Sequence, residues 1–210
     1  MTDWFRRKSW TQIDEEEFFK KLNRARKDGR AQYLKIQAIE LVETKDKALL
    51  EVAEALLDKM LTEYPEDNFN KGSALYTLGD IYRHREKYLK AINYYKQALD
   101  FEKVYSNVIT HAYLDYSELI VKTGDTASFD EVEQILLERQ PGLMFSIEKY
   151  KVNSLLSIIC KHKNNFDEAK HFADLAEQSA TAETSGLRYH KYLGVVKDRD
   201  NWLDKLVQGD

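Results

Sequence analysis

The chain has 210 residues, of which 43% are hydrophobic and 32% are charged, a balance typical of a helical protein whose outer faces are solvated. Its 32 lysines and arginines stand against 36 aspartates and glutamates, which gives a formal net charge of -4. The chain therefore lacks the basic excess expected of a protein that binds nucleic acid. It contains only two prolines and no stretch rich in glycine and serine, which favours one continuous body over domains joined by a flexible linker.

The sequence predicts neither a secretory signal nor a membrane-spanning helix. The first ten residues carry charge but are not followed by the apolar core of a signal peptide. No run of about 18 consecutive apolar residues occurs anywhere. Cys160 is the only cysteine and cannot form an intramolecular disulfide, so we expect a reducing, cytoplasmic compartment.

An aromatic and basic segment opens the chain. Trp4, Phe5 and Trp10 surround three cationic residues, a composition that would also suit a membrane-binding or acid-binding arm. So short a segment has little apolar area to bury in a membrane, and we expect it to fold back over the first helices, because the end of a helical stack must be covered. An acidic capping box at 14–17 should then start a helix that ends near Gly29.

Two further helices are predicted before the centre of the chain. The first runs from about residue 31 to 44 and the second from about 47 to 64, each with apolar residues at helical spacing. Pro65 should end the second helix, because proline is common just beyond a helix C-terminus.

The clearest pattern in the chain lies between Gly72 and Lys103, where a polar turn at 84–87 separates two amphipathic helices. Small and apolar residues recur at spacings of three and four in both helices. A glycine inside a helix costs about 1 kcal/mol relative to alanine, so Gly79 predicts the close approach of another backbone. The pattern consists of Leu75, Leu78, Gly79 and Tyr82 in the first helix and Tyr88, Ala91, Ile92, Tyr95, Ala98 and Leu99 in the second.

More helices are predicted after this hairpin. Apolar residues at 109, 112, 113 and 116 lie 34 residues beyond those at 75, 78, 79 and 82 and indicate a helix that ends at Gly124. A helix around 129–136 and a pair over 150–181 follow. A helix over 185–199 should repeat the Leu78–Gly79 step with Leu193 and Gly194, and a short helix holding Trp202 should cover the end.

The hairpin at 72–105 resembles one unit of the tetratricopeptide repeat, since its glycine, alanines and tyrosines fall where that repeat keeps its helix-packing residues. The 34-residue spacing is also the length of this repeat type. The alternative is an unrelated antiparallel helix pair. The resemblance extends less clearly to 150–181 and weakly to the remaining helices.

This resemblance implies an all-α fold, a right-handed superhelix of antiparallel helix pairs with capping helices at both ends. The whole chain, 1–210, would form one helical repeat domain. Within it, 1–30 would be an N-terminal cap, 31–199 the helix-pair repeats and 200–210 a C-terminal cap.

The resemblance also implies a function, because this family generally binds peptides or protein segments along its concave side. The first helix of each pair lines that side. A subfamily that grips a terminal carboxylate uses lysine and asparagine where this chain has Tyr76 and Asp80, so that partner is not expected. Asp80, with Glu118 nearby, would instead tolerate a cationic ligand. The residues that the resemblance places in the groove are Tyr76, Asp80, Arg83, Thr110, Leu114, Ser117, Ser154 and Lys161.

Catalytic and metal-binding motifs are not recognisable. The five histidines are scattered without the spacing of a metal site, so no metal or other cofactor is expected. Cys160 follows apolar residues on a predicted packing helix and should be a buried, inert thiol. Asp80, Arg83 and His84 could group on one helix face and resemble the general acid and base of an active site. A solvated face of charged residues is the commoner arrangement.

Three functions remain open from the sequence. The first is a protein–protein interaction module that binds in its concave groove. The second is a dedicated inhibitor, such as an immunity protein that neutralises a toxin, because a mildly acidic chain would suit a basic target. The third is an enzyme on a helical scaffold, which no residue pattern supports. The expected partner is a protein or peptide rather than nucleic acid or membrane, and a homo-oligomer is possible.

Overall fold

The computed structural model describes residues 3–208, and within that range the regular secondary structure is entirely helical. This confirms the predicted all-α class. Three short 3-10 turns, at Lys27–Gly29, Thr126–Ser128 and Gln140–Gly142, connect longer elements. The α-helices are α1 (Gln12–Arg24), α2 (Arg30–Val42), α3 (Lys47–Glu63), α4 (Asn68–His84), α5 (Tyr88–Val104), α6 (Ala112–Thr123), α7 (Phe129–Arg139), α8 (Ser146–His162), α9 (Phe166–Ala180) and α10 (Asn201–Gln208).

The helices divide between two compact units, Met1–Ala112 and Tyr113–Asp210. In the first unit α2 packs on α3, α4 packs on α5, and α2 also contacts α4. In the second unit α8 packs on α9, and both α7 and α10 contact α8. Consecutive helices joined by short turns run antiparallel, so each unit is built from helical hairpins of the kind found in helical repeats.

One turn geometry recurs at the ends of three helices. Glu86, Gly124 and Asn164, which follow α4, α6 and α8, all have a left-handed backbone, with φ of 57°, 70° and 61°. In each case the next N–H donates to a carbonyl five residues earlier, which is the bond of a Schellman motif. The predicted turn at 84–87 and the predicted helix end at Gly124 are both confirmed.

The core of the first unit is formed by apolar side chains that face inward from α1 to α5. Leu34 and Leu41 of α2, Leu57 of α3, and Leu78 and Ile81 of α4 are all fully buried in this core. Their spacing of three and four along each helix is the pattern that predicted the helices. The structure therefore follows the sequence closely between residues 30 and 104.

Gly79 makes close contact with a side chain rather than with a backbone. A Cβ atom at this position would lie only 2.4 Å from Cδ1 and Cε1 of Tyr95, which is fully buried on α5. The prediction of a close approach at Gly79 was correct, but the group that approaches is the Tyr95 side chain and not another backbone. The missing side chain leaves room for the Tyr95 ring against the backbone of α4.

The N-terminal segment folds back over the first helices, as predicted. Trp4 and Trp10 each place a ring 5.3 Å from that of Phe18 on α1, and Trp4 lies 5.0 Å from Tyr33 on α2. The fully buried Gln37 accepts a hydrogen bond from the Arg7 N–H and donates one to the Arg7 carbonyl. This segment therefore contributes aromatic rings to the core of the first unit.

Three predicted boundaries were wrong. The first helix begins at Gln12 instead of near residue 14, with Thr11 as the N-cap whose hydroxyl accepts the N–H of Asp14, and it ends at Arg24 instead of near Gly29. Ile109 lies outside α6 and is 67% exposed. The helix starts at Ala112 because the Thr110 hydroxyl accepts the N–H of Ala112 and so offers that donor a local partner.

The helix predicted over 185–199 does not form. Gly186 and Gly194 have φ of 75° and 69°, a left-handed backbone that a right-handed helix cannot contain. The Gly194 carbonyl accepts the N–H of Ile147 at 2.8 Å, and the Phe145 ring occupies the place that a Cβ of residue 194 would take. The short helix predicted around Trp202 is present as α10, while residues 209 and 210 of the predicted cap lie outside the described residues.

Candidate functional site

A groove of about 450 Å³ lies in the first unit between α2 and α4. Ile39 and Val42 contribute apolar surface from α2, and Tyr76 contributes an aromatic ring from α4. Polar and charged side chains border this surface, namely Glu43, Lys45, Ser73, Asp80 and His84. The groove thus combines an apolar floor with a rim that carries both signs of charge.

The helical periodicity of α4 produces its side of the groove. Ser73, Tyr76, Asp80 and His84 are spaced by three or four residues and so share one face, while Leu78 points into the core. The Thr77 hydroxyl, also in the wall, donates to the Ser73 carbonyl at 2.8 Å.

Tyr95 positions the two groove residues that the sequence singled out on α4. Its hydroxyl donates to Oδ1 of Asp80 at 2.7 Å, and its ring lies 5.6 Å from that of Tyr76. Because Tyr95 is fully buried, it has little freedom to move. The groove faces of Tyr76 and Asp80 are therefore fixed by a side chain from the neighbouring helix.

The imidazole of His84 lies at one end of the groove. Partial burial, followed by the positive charges of Lys45 and Arg83, lowers the pKa of His84 below its usual value. The side chain is therefore neutral at physiological pH and can donate and accept hydrogen bonds. The sequence analysis missed His84 as a groove component because it placed residue 84 in a polar turn, whereas the structure ends α4 there. It missed Ile39 and Val42 because α2 matched the repeat pattern poorly.

The structure brings together only part of the predicted site. Tyr76 and Asp80 line the groove, and Arg83 lies on the same helix, close enough to influence His84. Thr110 is outside the groove lining: its N–H donates to the Glu102 carboxylate at 2.9 Å. Thr110, just before the start of α6, therefore has a structural partner in Glu102 of α5.

The predicted residues of the second unit are mostly buried. Leu114, Ser117 and Ser154 are each less than one-tenth exposed, and the Ser117 hydroxyl donates to the Tyr113 carbonyl. Lys161 remains half-buried on α8. Buried side chains cannot contact a partner without a rearrangement, so we leave the three buried residues out of the binding surface.

Glu118 does not serve as the acidic neighbour expected for a cationic ligand. It is buried on α6 and accepts a hydrogen bond from the Lys151 ammonium at 3.0 Å. Burial of Lys151 lowers its pKa, but the charges and hydrogen bonds of Glu118 and Asp200 together outweigh burial and leave the pKa above its usual value. Glu118 thus has a structural role as the partner of this cation.

A second, more polar pocket of about 500 Å³ lies where the start of α3 meets the turn between α4 and α5. Glu54 accepts hydrogen bonds there from the Tyr82 hydroxyl and the Arg85 guanidinium. Burial raises the pKa of Glu54, but these two hydrogen bonds and the positive charges of Arg85 and Lys90 together lower it overall. The pocket is lined by Lys47, Glu51, Glu54, His84, Arg85 and Lys87.

The described residues offer no constellation for metal chemistry. No group of three or more histidine, cysteine, aspartate or glutamate side chains in this range is arranged to hold a metal ion. Burial, and next the charge of Glu133, raise the pKa of the Cys160 thiol to about 11, so the reactive thiolate is suppressed. None of the helices within 3–208 is long and apolar enough to cross a membrane.

The comparisons with known proteins match the central hairpin. Residues 72–103, which comprise most of α4 and nearly all of α5, match the family model of the tetratricopeptide repeat. No curated protein and no solved structure matches the chain. The family match covers the same residues that carried the resemblance in the sequence, including Gly79 and Tyr95.

Proposed function

We propose that this chain, in which residues 72–103 match the tetratricopeptide repeat, is a protein–protein interaction module. It binds an extended segment of a partner protein in the groove between α2 and α4. Repeats of this type are commonly interaction scaffolds without catalytic activity. The observation that carries the proposal is the apolar floor formed by Ile39, Val42 and Tyr76. Such concave apolar surfaces with few polar groups are preferred binding sites.

The chemistry of the groove favours a segment of mixed character. Ile39 and Tyr76 suit apolar side chains of the partner, and tyrosine is a residue type that often dominates binding energy. Asp80 and Glu43 oppose Lys45 in charge along the rim, so polar groups of either sign on the partner find a complement. His84 adds a neutral donor and acceptor at one end.

Two further properties belong to the proposal. Cys160 is a free, buried cysteine, which is compatible with the reducing cytoplasmic compartment that we propose. We propose no catalytic role and no cofactor. The proposal includes no inhibitor role, since no feature of the groove favours a toxin over another protein partner.

The test is affinity capture from the native lysate with the full chain as bait, followed by mass spectrometry. The wild-type protein should retain a dominant partner, and the Tyr76→Ala variant, which removes the aromatic ring of the groove, should lose it. An Ile39→Glu variant, which places a charge on the apolar floor, should act in the same direction. The matched control is Asn93→Ala with Gln97→Ala, two exposed positions on α5.

The groove proposal fails if both groove variants keep their helical circular dichroism and still retain the partner as well as the control does. It also fails if the control variant loses the partner. In either case the binding surface lies elsewhere on the chain.

A further inference from the structure

The segment 185–194, in place of the expected helix, forms a loop that presents large side chains to solvent. Tyr189 is 80% exposed, Tyr192 is 72% exposed and Leu193 is 53% exposed. Single exposed apolar residues are ordinary on a protein surface, but a cluster within five consecutive positions is typical of an interaction site. Packing among the residues that the structure describes leaves these three side chains mostly exposed.

The shape of this loop is set by its own polar groups. The Ser185 N–H donates to the Lys191 carbonyl at 2.7 Å, and the Ser185 hydroxyl donates to the His190 carbonyl at 2.7 Å. Gly186 and Gly194 supply the left-handed backbone at its two ends. Because these bonds hold the loop closed while the tyrosines stay outside, little order has to be gained when the rings bind a partner.

The loop is also anchored to the second unit. The Gly194 carbonyl accepts the N–H of Ile147, the second residue of α8, and the Phe145 ring lies against Gly194. This anchor fixes the C-terminal end of the loop on a helix whose inner face is buried. Tyr192 and Leu193 therefore project from a supported position.

The charge of the loop is opposite to that of the chain. Between Glu183 and Asp198 the sequence contains Arg188, Lys191 and Lys197 but no acidic residue, although the whole chain has a net charge of -4. The Arg188 guanidinium lies 5.2 Å from the centre of the Tyr189 ring, a cation–π distance. Within the described residues, neither Arg188 nor Lys191 forms an ion pair with a carboxylate.

We propose that the 185–194 loop is a second docking surface, separate from the groove, and that it binds an acidic protein segment containing apolar side chains. Tyrosine and arginine are among the residue types enriched at dominant binding positions. Two cations beside exposed rings complement a segment in which carboxylates flank an apolar side chain. So few cations would neutralise few phosphates, which argues against nucleic acid as the partner.

The experiment uses an array of short random peptides in which every acidic sequence is paired with its charge-reversed basic counterpart. The full-length protein is applied to the array, and the strongest peptides are remeasured in solution by fluorescence anisotropy. The wild type should prefer the acidic member of each pair, above all where leucine or phenylalanine adjoins the carboxylates. Raising the salt concentration should weaken the binding.

Two independent variants assign this binding to the loop. Tyr189→Ser with Tyr192→Ser removes the rings, and Arg188→Glu with Lys191→Glu reverses the charge. Each should lower the affinity for the acidic peptides by at least about tenfold, the effect of losing roughly 1.4 kcal/mol of binding energy. The control Lys149→Glu with Lys170→Glu reverses two exposed lysines of the same unit and should leave the affinity within about twofold.

Several outcomes would overturn the proposal. Equal binding of the acidic and basic peptides, or equal weakening by the control, removes the charge argument. Tighter loop-dependent binding to a single-stranded oligonucleotide, or to vesicles of anionic lipid, assigns the loop to another class of ligand. Association of the protein in sedimentation experiments that the Tyr189→Ser, Tyr192→Ser variant abolishes would identify a second copy of this chain as the occupant.

Discussion

The ring of Tyr95 occupies the space that a side chain at Gly79 would need. A Cβ at residue 79 would lie 2.4 Å from two ring carbons, well inside van der Waals contact. The same tyrosine donates a hydrogen bond to Asp80 and lies beside Tyr76. The glycine therefore determines how closely α5 approaches α4, and through Tyr95 it determines the shape of the groove.

Replacing Gly79 with alanine should destabilise the protein. In an unconstrained helix this change stabilises by about 1 kcal/mol, but here the new methyl group would displace the Tyr95 ring. Overpacking of this kind costs about 1–3 kcal/mol, so we expect a net loss in chemical denaturation experiments. The control is Gly142→Ala, where a Cβ has nothing within 4 Å and stability should be nearly unchanged. A more stable Gly79→Ala protein would refute the contact.

Replacing Tyr95 with phenylalanine separates the hydroxyl from the ring. The ring over Gly79 is kept, but the hydrogen bond to Asp80 is lost, which should cost about 1 kcal/mol in the free energy of unfolding. Affinity for the groove partner should fall as well, because Asp80 loses the hydrogen bond from the Tyr95 hydroxyl. Tyr105→Phe, at a partly exposed position, is the control. Equal stability of the two variants would show that the hydroxyl of Tyr95 contributes nothing.

The sequence predicts most of the helices because their inward residues follow a period close to 3.6. This held for α2 to α5, where small residues such as Ala91 and Ala98 mark close packing. It also held for α7 to α10. Periodicity describes burial on one helix face, so it can place a helix but not the partner of each side chain. For this reason Gly79 predicted a close approach without indicating that Tyr95 makes it.

The same reasoning failed where a glycine has two possible roles. Gly79 lies inside a helix, whereas Gly194 has a left-handed backbone at the end of a loop, and both follow a leucine in the sequence. Only contacts distant in sequence, such as that between Gly194 and Phe145, distinguish them. The sequence predicted only part of the groove. Ile39 and Val42 line it from α2, a helix whose sequence matched the repeat poorly.

The N-terminal segment should depend on Gln37. Its amide pairs with both the N–H and the carbonyl of Arg7, so Gln37→Leu leaves two backbone groups without their partner. We expect a loss of about 1–3 kcal/mol, together with increased binding of a hydrophobic dye as Trp4 and Trp10 leave Phe18. Gln134→Leu, at an exposed position on α7, should change neither quantity. Unchanged dye binding in Gln37→Leu would show that the aromatic rings hold the segment alone.

Acid should weaken the start of α1 through Asp14. Hydrogen bonds from the Thr11 backbone and side chain, with a smaller contribution from Arg7, lower the pKa of Asp14 from 3.8 to about 2. Because the folded-state pKa is depressed, this stabilisation is present above pH 4 and is lost as the pH falls towards 2. Asp14→Asn should therefore flatten the stability profile across that interval. Glu15→Gln, which removes a charge from the same turn without these bonds, should keep the wild-type slope. Equal slopes for Asp14→Asn and wild type would contradict the assignment.

Cys160 should resist thiol reagents in the folded protein. Its pKa of about 11 leaves little thiolate at pH 8, and the side chain is buried on α8. We expect slow reaction with a disulfide reagent in buffer and rapid, complete reaction in denaturant. Since burial raises the pKa more than Glu133 does, Glu133→Gln should accelerate the reaction far less than unfolding. Lys170→Glu, an exposed change on α9, serves as the control. Rapid reaction of the native protein would mean that the region around α8 opens readily, and hydrogen exchange of the α8 amides would then locate the opening.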